Sequence, residues 1–133
     1  MIGLDTSVVL RYFVKDDPEQ GRLAKSLMES LTAGDPGWIS LVVLTELVWL
    51  LKKTYRLEKE PITTIVERLL ASRHLIVEES EKVDAALLLH RNTRAGFADC
   101  LLAVSAKAAG CASVVTFDKI ASRDLGVRRL GQP

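Results

Sequence analysis

The chain has 133 residues, of which 48% are hydrophobic and 26% are charged, a composition that excludes a disordered protein and suits one domain with a sizeable core. Its formal net charge is +1, from 18 basic and 17 acidic residues, which excludes a protein that binds nucleic acid through overall positive charge. Any contact with nucleic acid must therefore come from a local patch of side chains.

The apolar segments are too short for targeting or membrane insertion. The opening MIGLD has no basic segment followed by an apolar run, so we expect no secretory signal. The apolar stretch 41–51 is interrupted by Thr45 and Glu46, and it is far shorter than the roughly 20 residues that span a bilayer. Cys100 and Cys111 lack CxxC spacing and histidine partners, so we expect reduced core thiols. These features predict a soluble, cytoplasmic protein with no membrane partner.

The predicted elements alternate between strands and helices. Short apolar or β-branched runs are typical of strands, and longer segments with apolar residues three and four apart are typical of helices. In chain order we predict a strand at 2–4, helices at 7–13 and 18–31, a strand at 38–40, helices at 41–55 and 61–71, a strand at 75–77, helices at 81–91 and 97–109, and strands at 113–117 and 127–130. This alternation predicts an α/β fold with a mostly parallel sheet covered by helices on both faces.

Local signals mark several of the boundaries. Pro18 and Pro61 suit the first turn of a helix, Ser80 can cap the helix that follows it, and Gly110 can end a helix in the left-handed conformation. The segment GDPG at 34–37 predicts a turn. Because the sequence has no internal repeat and no linker rich in Gly, Ser or Pro, we predict one domain over residues 1–133.

Four acidic residues lie in apolar segments, whereas most of the others lie in charged or turn-like ones. Asp5 follows IGL, Glu46 lies within LVVLTELVWLL, Asp99 lies within GFADCLLAV, and Asp118 follows SVVTF. The residues three and four positions from Glu46 are apolar on both sides, so its helix face is predicted to be apolar. An ionised carboxylate in such surroundings needs a proton, a basic partner or a metal ion.

The other three acids occupy positions where ligands are often bound. Asp5 and Asp118 directly follow predicted strands, and ligands bind at the carboxyl ends of parallel strands. Asp99 opens a predicted helix, where a carboxylate also serves simply as a helix-start residue. Each acid taken alone has such an ordinary interpretation, as a turn residue, a cap or an ion-pair partner. The presence of all four acids in one sequence is what indicates a site.

Together the four carboxylates predict a divalent cation site. Oxygen ligands without His or Cys suit Mg²⁺ or Mn²⁺ and do not suit zinc. Without a cation, clustered carboxylates would repel one another and raise each other's pKa values. Such a site can activate a water and neutralise the charge that develops on a phosphodiester. Thr6, Ser7 and Thr116 flank two of the acids, and they either orient a carboxylate or a metal-bound water or act as caps and strand residues.

At these residues the sequence resembles the PIN-domain nucleases, and within them the VapC toxins of bacterial and archaeal toxin–antitoxin pairs. The resemblance rests on four blocks in the family's order and approximate spacing, and it covers nearly the whole chain. These blocks are IGLDTSVVLRYF, SLVVLTELVWLL, GFADCLLAVSAKAAGC and VVTFDK.

The resemblance implies a PIN-like domain whose parallel sheet has strand order 3-2-1-4-5, and Mg²⁺-dependent endonucleolytic cleavage of RNA. It implies that Asp5 and Asp99 are the firmest metal ligands and that Glu46 and Asp118 complete the site. It further implies a homodimer and a small antitoxin that wraps the toxin and blocks its site. Many relatives have an aromatic residue shortly after the last acid, whereas this chain has Lys-Ile-Ala at 119–121.

Other polar residues are open to two interpretations. The isolated histidines His74 and His90 have no second ligand or nucleophile at a useful spacing, so we predict that they are structural or surface residues. Several basic residues lie near Asp99 or Asp118 in sequence, and they either contact RNA phosphates or solvate helix ends. These residues are Arg91, Arg94, Lys119 and Arg123.

Three other functional classes were weighed against the nuclease. A phosphatase of the haloacid dehalogenase type needs a second Asp two residues after the first, where this chain has Ser7. A receiver domain needs paired acids after its first strand, and this pattern is absent. The remaining alternative is a catalytically inactive PIN-like binding or regulatory module. The presence of all four acids favours the enzyme, because keeping them together without a metal would be electrostatically costly.

Overall fold

The computed structural model describes residues 1–131, and its contacts divide the chain into two compact units, Met1–Ser80 and the segment that begins at Glu81. The α/β class predicted from the alternation of elements is confirmed. No helix within residues 1–131 is both long and apolar enough to cross a membrane.

The first unit contains three short parallel strands and four helices. The strands pair in the order β1-β2-β3, with Ile2 opposite Gly37 and Trp38 opposite Ile76. The elements are β1 (Ile2–Gly3), α1 (Thr6–Phe13), α2 (Pro18–Ser30), β2 (Gly37–Ile39), α3 (Leu41–Lys53), α4 (Lys59–Ala71) and β3 (Leu75–Val77).

In the core of the first unit, each helix buries the apolar side chains of one face. Helix α1 packs against both α2 and α3, and α4 packs against α3 and β3. Fully buried aliphatic side chains come from α1, β2, α3 and α4, because an apolar helix face is stable only when it is removed from water. They include Val9, Ile39, Leu44, Leu47, Leu51 and Val66.

Gly37 lies where the neighbouring side chains leave no room for a Cβ atom. A Cβ atom at this position would lie 2.8 Å from Leu4 Cδ1, 2.9 Å from Leu31 Cδ1 and 3.0 Å from Leu75 Cδ2. Three leucine side chains from different parts of the unit therefore meet over a residue that has no side chain. Leu75 lies in the neighbouring strand β3, Leu4 follows β1, and Leu31 follows α2, so side chains from both sides of β2 pack over Gly37.

The second unit contains the remaining elements. They are α5 (Ser80–Asn92), α6 (Phe97–Ala108), β4 (Val115–Thr116), α7 (Lys119–Leu125) and β5 (Arg128–Arg129). Strands β4 and β5 are parallel, and β5 donates hydrogen bonds from Arg128 N to Val114 O and from Leu130 N to Thr116 O. Helix α6 packs against α7, and its buried side chains include Phe97, Cys100 and Leu101.

The strand pairing corrects one prediction. All described pairs are parallel, and the partial orders 3-2-1 and 4-5 are as expected, but the strands form a three-stranded and a two-stranded sheet rather than one sheet of order 3-2-1-4-5. The physical reason is strand length. The predicted strand 113–117 shortens to Val115–Thr116, and a strand of two residues offers very few groups for a hydrogen-bonded ladder.

Two smaller expectations also differ from the structure. The sequence analysis did not predict α7, although Asp118 caps its first turn and Gly126 ends it in the left-handed conformation with φ of 67°. Cys100 is buried as expected, but Cys111 is exposed, because it follows the end of α6 rather than lying on its inner face.

Candidate active site

Asp5 lies where β1 turns into α1. Its backbone oxygen accepts hydrogen bonds from Val8 N and Val9 N, and its side chain makes no cap to the helix. Instead, the Ser7 hydroxyl donates a hydrogen bond of 2.9 Å to Asp5 Oδ2. This hydrogen bond is the main reason why the pKa of Asp5 is lowered from its ordinary value. Asp5 is therefore an exposed carboxylate that stays ionised and whose orientation Ser7 restrains.

Glu46 lies in the second turn of α3, and its position corrects the prediction of an apolar environment. The side chain is exposed, as are its neighbours Val42 and Trp49, which are 76% and 58% exposed. The helix instead buries the stripe that contains Leu44, Leu47, Val48 and Leu51. Within residues 1–131, Glu46 makes no hydrogen bond or ion pair, so solvent rather than a protein partner stabilises its charge.

The start of α3 is fixed by two side-chain oxygens. Ser40 Oγ accepts a hydrogen bond from Val43 N at 3.1 Å, and Glu78 Oε1 accepts one from Leu41 N at 2.8 Å. These two bonds satisfy backbone donors that a helix start otherwise leaves unpaired. Glu78 lies directly after β3, so the helix that carries Glu46 is tied to the sheet edge.

Asp99 and Asp118 are brought near each other within the second unit. Asp99 is half-buried in the first turn of α6, and burial is the largest cause that raises its pKa. The second cause is the negative charge of Asp118, which makes ionisation of Asp99 less favourable. Within residues 1–131 Asp99 makes no hydrogen bond, and the cap residue of α6 is Gly96. Its role is therefore not that of a helix cap.

Asp118 caps α7 with one of its two oxygens. Asp118 Oδ1 accepts a hydrogen bond of 2.8 Å from Ala121 N, and Asp118 N donates to Thr116 Oγ1 at 3.0 Å. The side chain is exposed, and its Oδ2 has no hydrogen bond within the described part of the chain. The ordinary interpretation of this acid as a cap is thus correct, yet one oxygen remains available to a ligand.

The three supporting residues take different roles. Ser7 restrains the Asp5 carboxylate, and Thr116 accepts a hydrogen bond from the backbone of Asp118. Thr6 is 4% exposed, and its buried hydroxyl has no hydrogen-bond partner among residues 1–131. The Thr6 hydroxyl therefore makes no hydrogen bond to Asp5, but the Thr6 backbone N–H contributes to the lowered pKa of Asp5.

Each unit thus contributes two of the four predicted acids. In the first unit, Asp5 precedes α1, which packs against the helix α3 that carries Glu46. In the second unit, Asp99 and Asp118 are coupled by their charges. Within the described part of either unit, no three side chains of His, Cys, Asp or Glu cluster closely enough to hold a metal ion.

A clamp in the second unit was not anticipated. Asp124, in the last turn of α7, accepts a hydrogen bond of 2.7 Å from Arg94 N in the loop before α6. Arg94 was predicted either to contact an RNA phosphate or to solvate a helix end, and Asp124 was not predicted to take part in a site. The separation of 30 residues between the two partners explains why no local sequence pattern reveals the pair.

Comparison with known proteins agrees with the fold and the motifs. A sequence model of the PIN domain family matches residues 2–123. The chain is 29% identical over 116 residues to a protein of Aquifex aeolicus (strain VF5) named VapC ribonuclease, and the match covers 87% of this chain and 86% of the relative. A solved structure, that of the sarcin–ricin loop cleaving toxin VapC20 of Mycobacterium tuberculosis, aligns with a TM-score of 0.45 at 20% identity over 92% of this chain and 93% of the other.

The extent of the family match decides the classification. It begins within β1, ends within α7, and includes all four predicted acids and their flanking blocks. The resemblance inferred from those blocks is confirmed at the level of the family. This chain belongs to the PIN domain family.

Proposed function

We propose that this chain is a metal-dependent endoribonuclease, the toxin component of a type II toxin–antitoxin pair, which hydrolyses RNA phosphodiesters. Membership of the PIN family and the relative named VapC ribonuclease support this proposal. The observation that carries it is the pair Asp99 and Asp118, two carboxylates whose charges repel in a family of nucleases. Asp5 and Glu46 complete the proposed set of metal ligands.

The donor set fits Mg²⁺, with Mn²⁺ as the substitute. All four proposed ligands are carboxylates, and hard divalent cations prefer carboxylate oxygens and water. Asp99 and Asp118 would hold the cation, and its positive charge would relieve the repulsion between them, which is the physical reason to keep such a pair. When bound, the ion supplies positive charge that favours ionisation of a water and offsets the charge developing on the phosphodiester.

Asp5, Asp99 and Asp118 differ in the hydrogen bonds and charges that neighbouring residues bring to them. Asp5 is held ionised by the Ser7 hydroxyl, so one carboxylate is ready at neutral pH. Asp118 keeps Oδ2 free while Oδ1 fixes its orientation on α7. Burial and the charge of Asp118 raise the pKa of Asp99, and a cation held by this pair would favour the ionised form of its carboxyl.

The test is RNA cleavage by protein freed of any co-purifying antitoxin. Labelled total RNA and structured RNAs are incubated with the protein in Mg²⁺, Mn²⁺ or EDTA. We expect cleavage in either metal, no cleavage in EDTA, and a loss of at least about a hundredfold in Asp5→Asn and Asp99→Asn, as for removal of metal ligands. The matched control is Asp84→Asn, because Asp84 is an exposed acid of α5 without a partner in the described chain.

The alternative is the catalytically inactive PIN-like module, and the same experiment separates the two. The exposed, unpartnered Glu46 and the absence of a three-acid cluster within the described part of either unit are the observations that favour it. RNA that survives wild-type protein in every metal, together with absent cation binding by calorimetry, would establish the module instead. Cation binding without cleavage would point to an RNA target missing from the panel.

The assembly is part of the same proposal. By analogy with the VapC toxins we infer a homodimer that acts in the cytoplasm and binds a small antitoxin protein. Light scattering after size-exclusion chromatography measures the molar mass directly. A mass near twice 14.6 kDa supports the dimer, and a mass near 14.6 kDa removes it from the proposal.

A further inference from the structure

An open cleft lies in the second unit between the end of α5, the loop that follows it and the last turn of α7. Its volume is about 470 Å³. It is lined by two arginines, an asparagine, a threonine and one acid, which are Arg91, Asn92, Thr93, Arg94 and Asp124. Arg123, the residue before the acid, is also exposed. Positive side chains and neutral donors thus surround a single carboxylate.

The carboxylate of Asp124 is engaged mainly with the backbone. Asp124 Oδ2 accepts the short hydrogen bond from Arg94 N at 2.7 Å, whereas the Arg94 guanidinium reaches Oδ1 through Nη2 at 3.4 Å. The Asp124 side chain is only 13% exposed, and the Arg94 side chain is 63% exposed. Asp124 therefore anchors the loop and leaves most of the guanidinium in solvent.

The Arg94 guanidinium keeps donors for a ligand. An arginine has five N–H groups in a planar fork that matches the oxygens of a phosphate, and the bond to Asp124 occupies one of them weakly. The ion pair also limits the directions in which the side chain can point. The Arg94 guanidinium is thus restrained in direction and still has N–H groups that can bind a ligand.

The same loop leads directly to Asp99. Gly96 begins α6, and Asp99 lies three residues further in its first turn. The loop is held on its other side by a contact of 2.8 Å between His90 Nδ1 and Ala95 O. Arg94 and Asp99 are therefore parts of one short, anchored segment. Asp124 and Asp118 lie six residues apart at opposite ends of α7, about 9 Å of helix rise, so a phosphate bound at the cleft is a contact remote from the carboxylate pair.

We propose that this cleft binds a phosphate of the RNA strand, with the Arg94 guanidinium as the contact and Asp124 as the residue that holds it in place. The proposal rests on the proposed ribonuclease function and adds to it the surface that positions the substrate. Because the net charge of the whole chain is only +1, binding of a polyanion needs such a local cationic surface. Phosphate contacts of this kind fix the register of a strand without reading its sequence.

The test measures RNA binding separately from cleavage. A fluorescein-labelled single-stranded RNA of mixed sequence is titrated with protein in EDTA over a series of salt concentrations. We expect Arg94→Ala to weaken binding roughly threefold to tenfold and to reduce the slope of log affinity against log salt by about one. In Mg²⁺ the same variant should raise KM and leave kcat nearly unchanged, since a remote phosphate contact acts equally on substrate and transition state.

Conservative and matched variants separate a phosphate contact from a structural role. Arg94→Lys keeps the charge and should keep the salt slope of the wild type, whereas Arg94→Gln, a neutral variant of similar length, should behave as Arg94→Ala does. Lys107→Ala is the control, because Lys107 is an exposed cation at the opposite end of α6 from Asp99. It should change neither slope nor KM.

Two results would overturn the proposal and are distinguishable from each other. If wild-type protein cleaves RNA while Arg94→Ala and Arg94→Gln retain its salt slope and KM, the cleft is not the phosphate contact and the ribonuclease stands. If wild-type protein neither binds nor cleaves the RNA, the proposed function itself fails, and this proposal fails with it.

Discussion

Residues of one type behave differently here because their neighbours differ. Asp5 is exposed and accepts a hydrogen bond from Ser7, which lowers its pKa. Asp99 is half-buried without such a donor and lies near Asp118, so its pKa is raised. The sequence could single out these acids because each follows or interrupts an apolar run. It could not order their pKa values, because the donors and charges around them depend on the fold.

Glu46 shows where sequence reasoning fails at this scale. The helix that carries it is apolar on nearly all sides, so the periodicity does not say which stripe faces the core. The buried stripe contains Leu47 and Leu51, and Glu46 lies on the exposed side with Trp49. The expected desolvation of its carboxylate is therefore wrong, although its assignment as a metal ligand stays a prediction.

Removing the charge of Asp118 should lower the pKa of Asp99. In Asp118→Asn the repulsion is lost, while burial, the larger cause, is kept, so the pKa of Asp99 should fall without returning fully to its ordinary value. Carboxyl-carbon NMR titration of metal-free protein measures it, with Asp84→Asn as the control. An unchanged pKa in Asp118→Asn would mean that the two charges do not interact in solution.

The Asp124 clamp should make stability depend on acid pH. The Arg94 backbone N–H holds the pKa of Asp124 below its ordinary value, which is about 3.9 in the unfolded chain. The clamp's contribution is therefore fully present above the unfolded pKa and is lost as pH falls through the folded pKa. Urea unfolding of wild type and Asp124→Asn should differ at pH 7, and the difference should begin to shrink as the pH falls below the unfolded value of about 3.9. A difference that grows as the pH falls below that value would exclude this linkage.

At the scale of elements, the prediction from sequence succeeds where local signals are strong. The segments 2–4, 38–40 and 75–77 each contain a strand, and Pro18 begins α2 as its chemistry requires. The elements that the sequence did not predict correctly are short. Helix α7 has only seven residues, too few for a clear apolar period, and its start signal, Asp118, was interpreted as a catalytic acid rather than a cap.

Gly37 offers the sharpest test of the packing of β2. Gly37→Ala places a methyl group within 3.0 Å of three leucine side chains, two of which, Leu4 and Leu31, are buried. Overpacking of this kind costs about 1–3 kcal/mol. Chemical denaturation should show that loss of unfolding free energy with little change in the denaturant slope. Gly34→Ala is the control, since a Cβ there meets only Thr32 Oγ1 at 4.0 Å. Equal stabilities of the two variants would show that the leucines move aside freely.

At the scale of the whole molecule, the composition and the sequence motifs predict the fold class and the family. They do not predict which of the four acids come together in the folded chain. The strand orders of the two sheets, 3-2-1 and 4-5, are parts of the order that the family resemblance implied. The family match extends across both units. The acids are distributed along the chain from residue 5 to residue 118, two in each unit, and local propensity carries no information about contacts between residues so far apart in sequence. A measurement on the whole chain is therefore needed to show that they act as one site.

Cation binding should stabilise the whole chain, and the four acids should share that effect. A ligand that binds only the folded protein raises the unfolding free energy by about 2.7 kcal/mol at a concentration one hundred times its Kd. We expect Mn²⁺ or Mg²⁺ to raise Tm in the wild type and in Asp84→Asn, and EDTA to reverse the rise. If Asp5→Asn and Asp99→Asn each abolish the rise, acids from both units hold the same ion. If Asp5→Asn responds as the wild type does while Asp99→Asn does not, the ion is bound without Asp5, and Asp5 must be removed from the proposed ligand set.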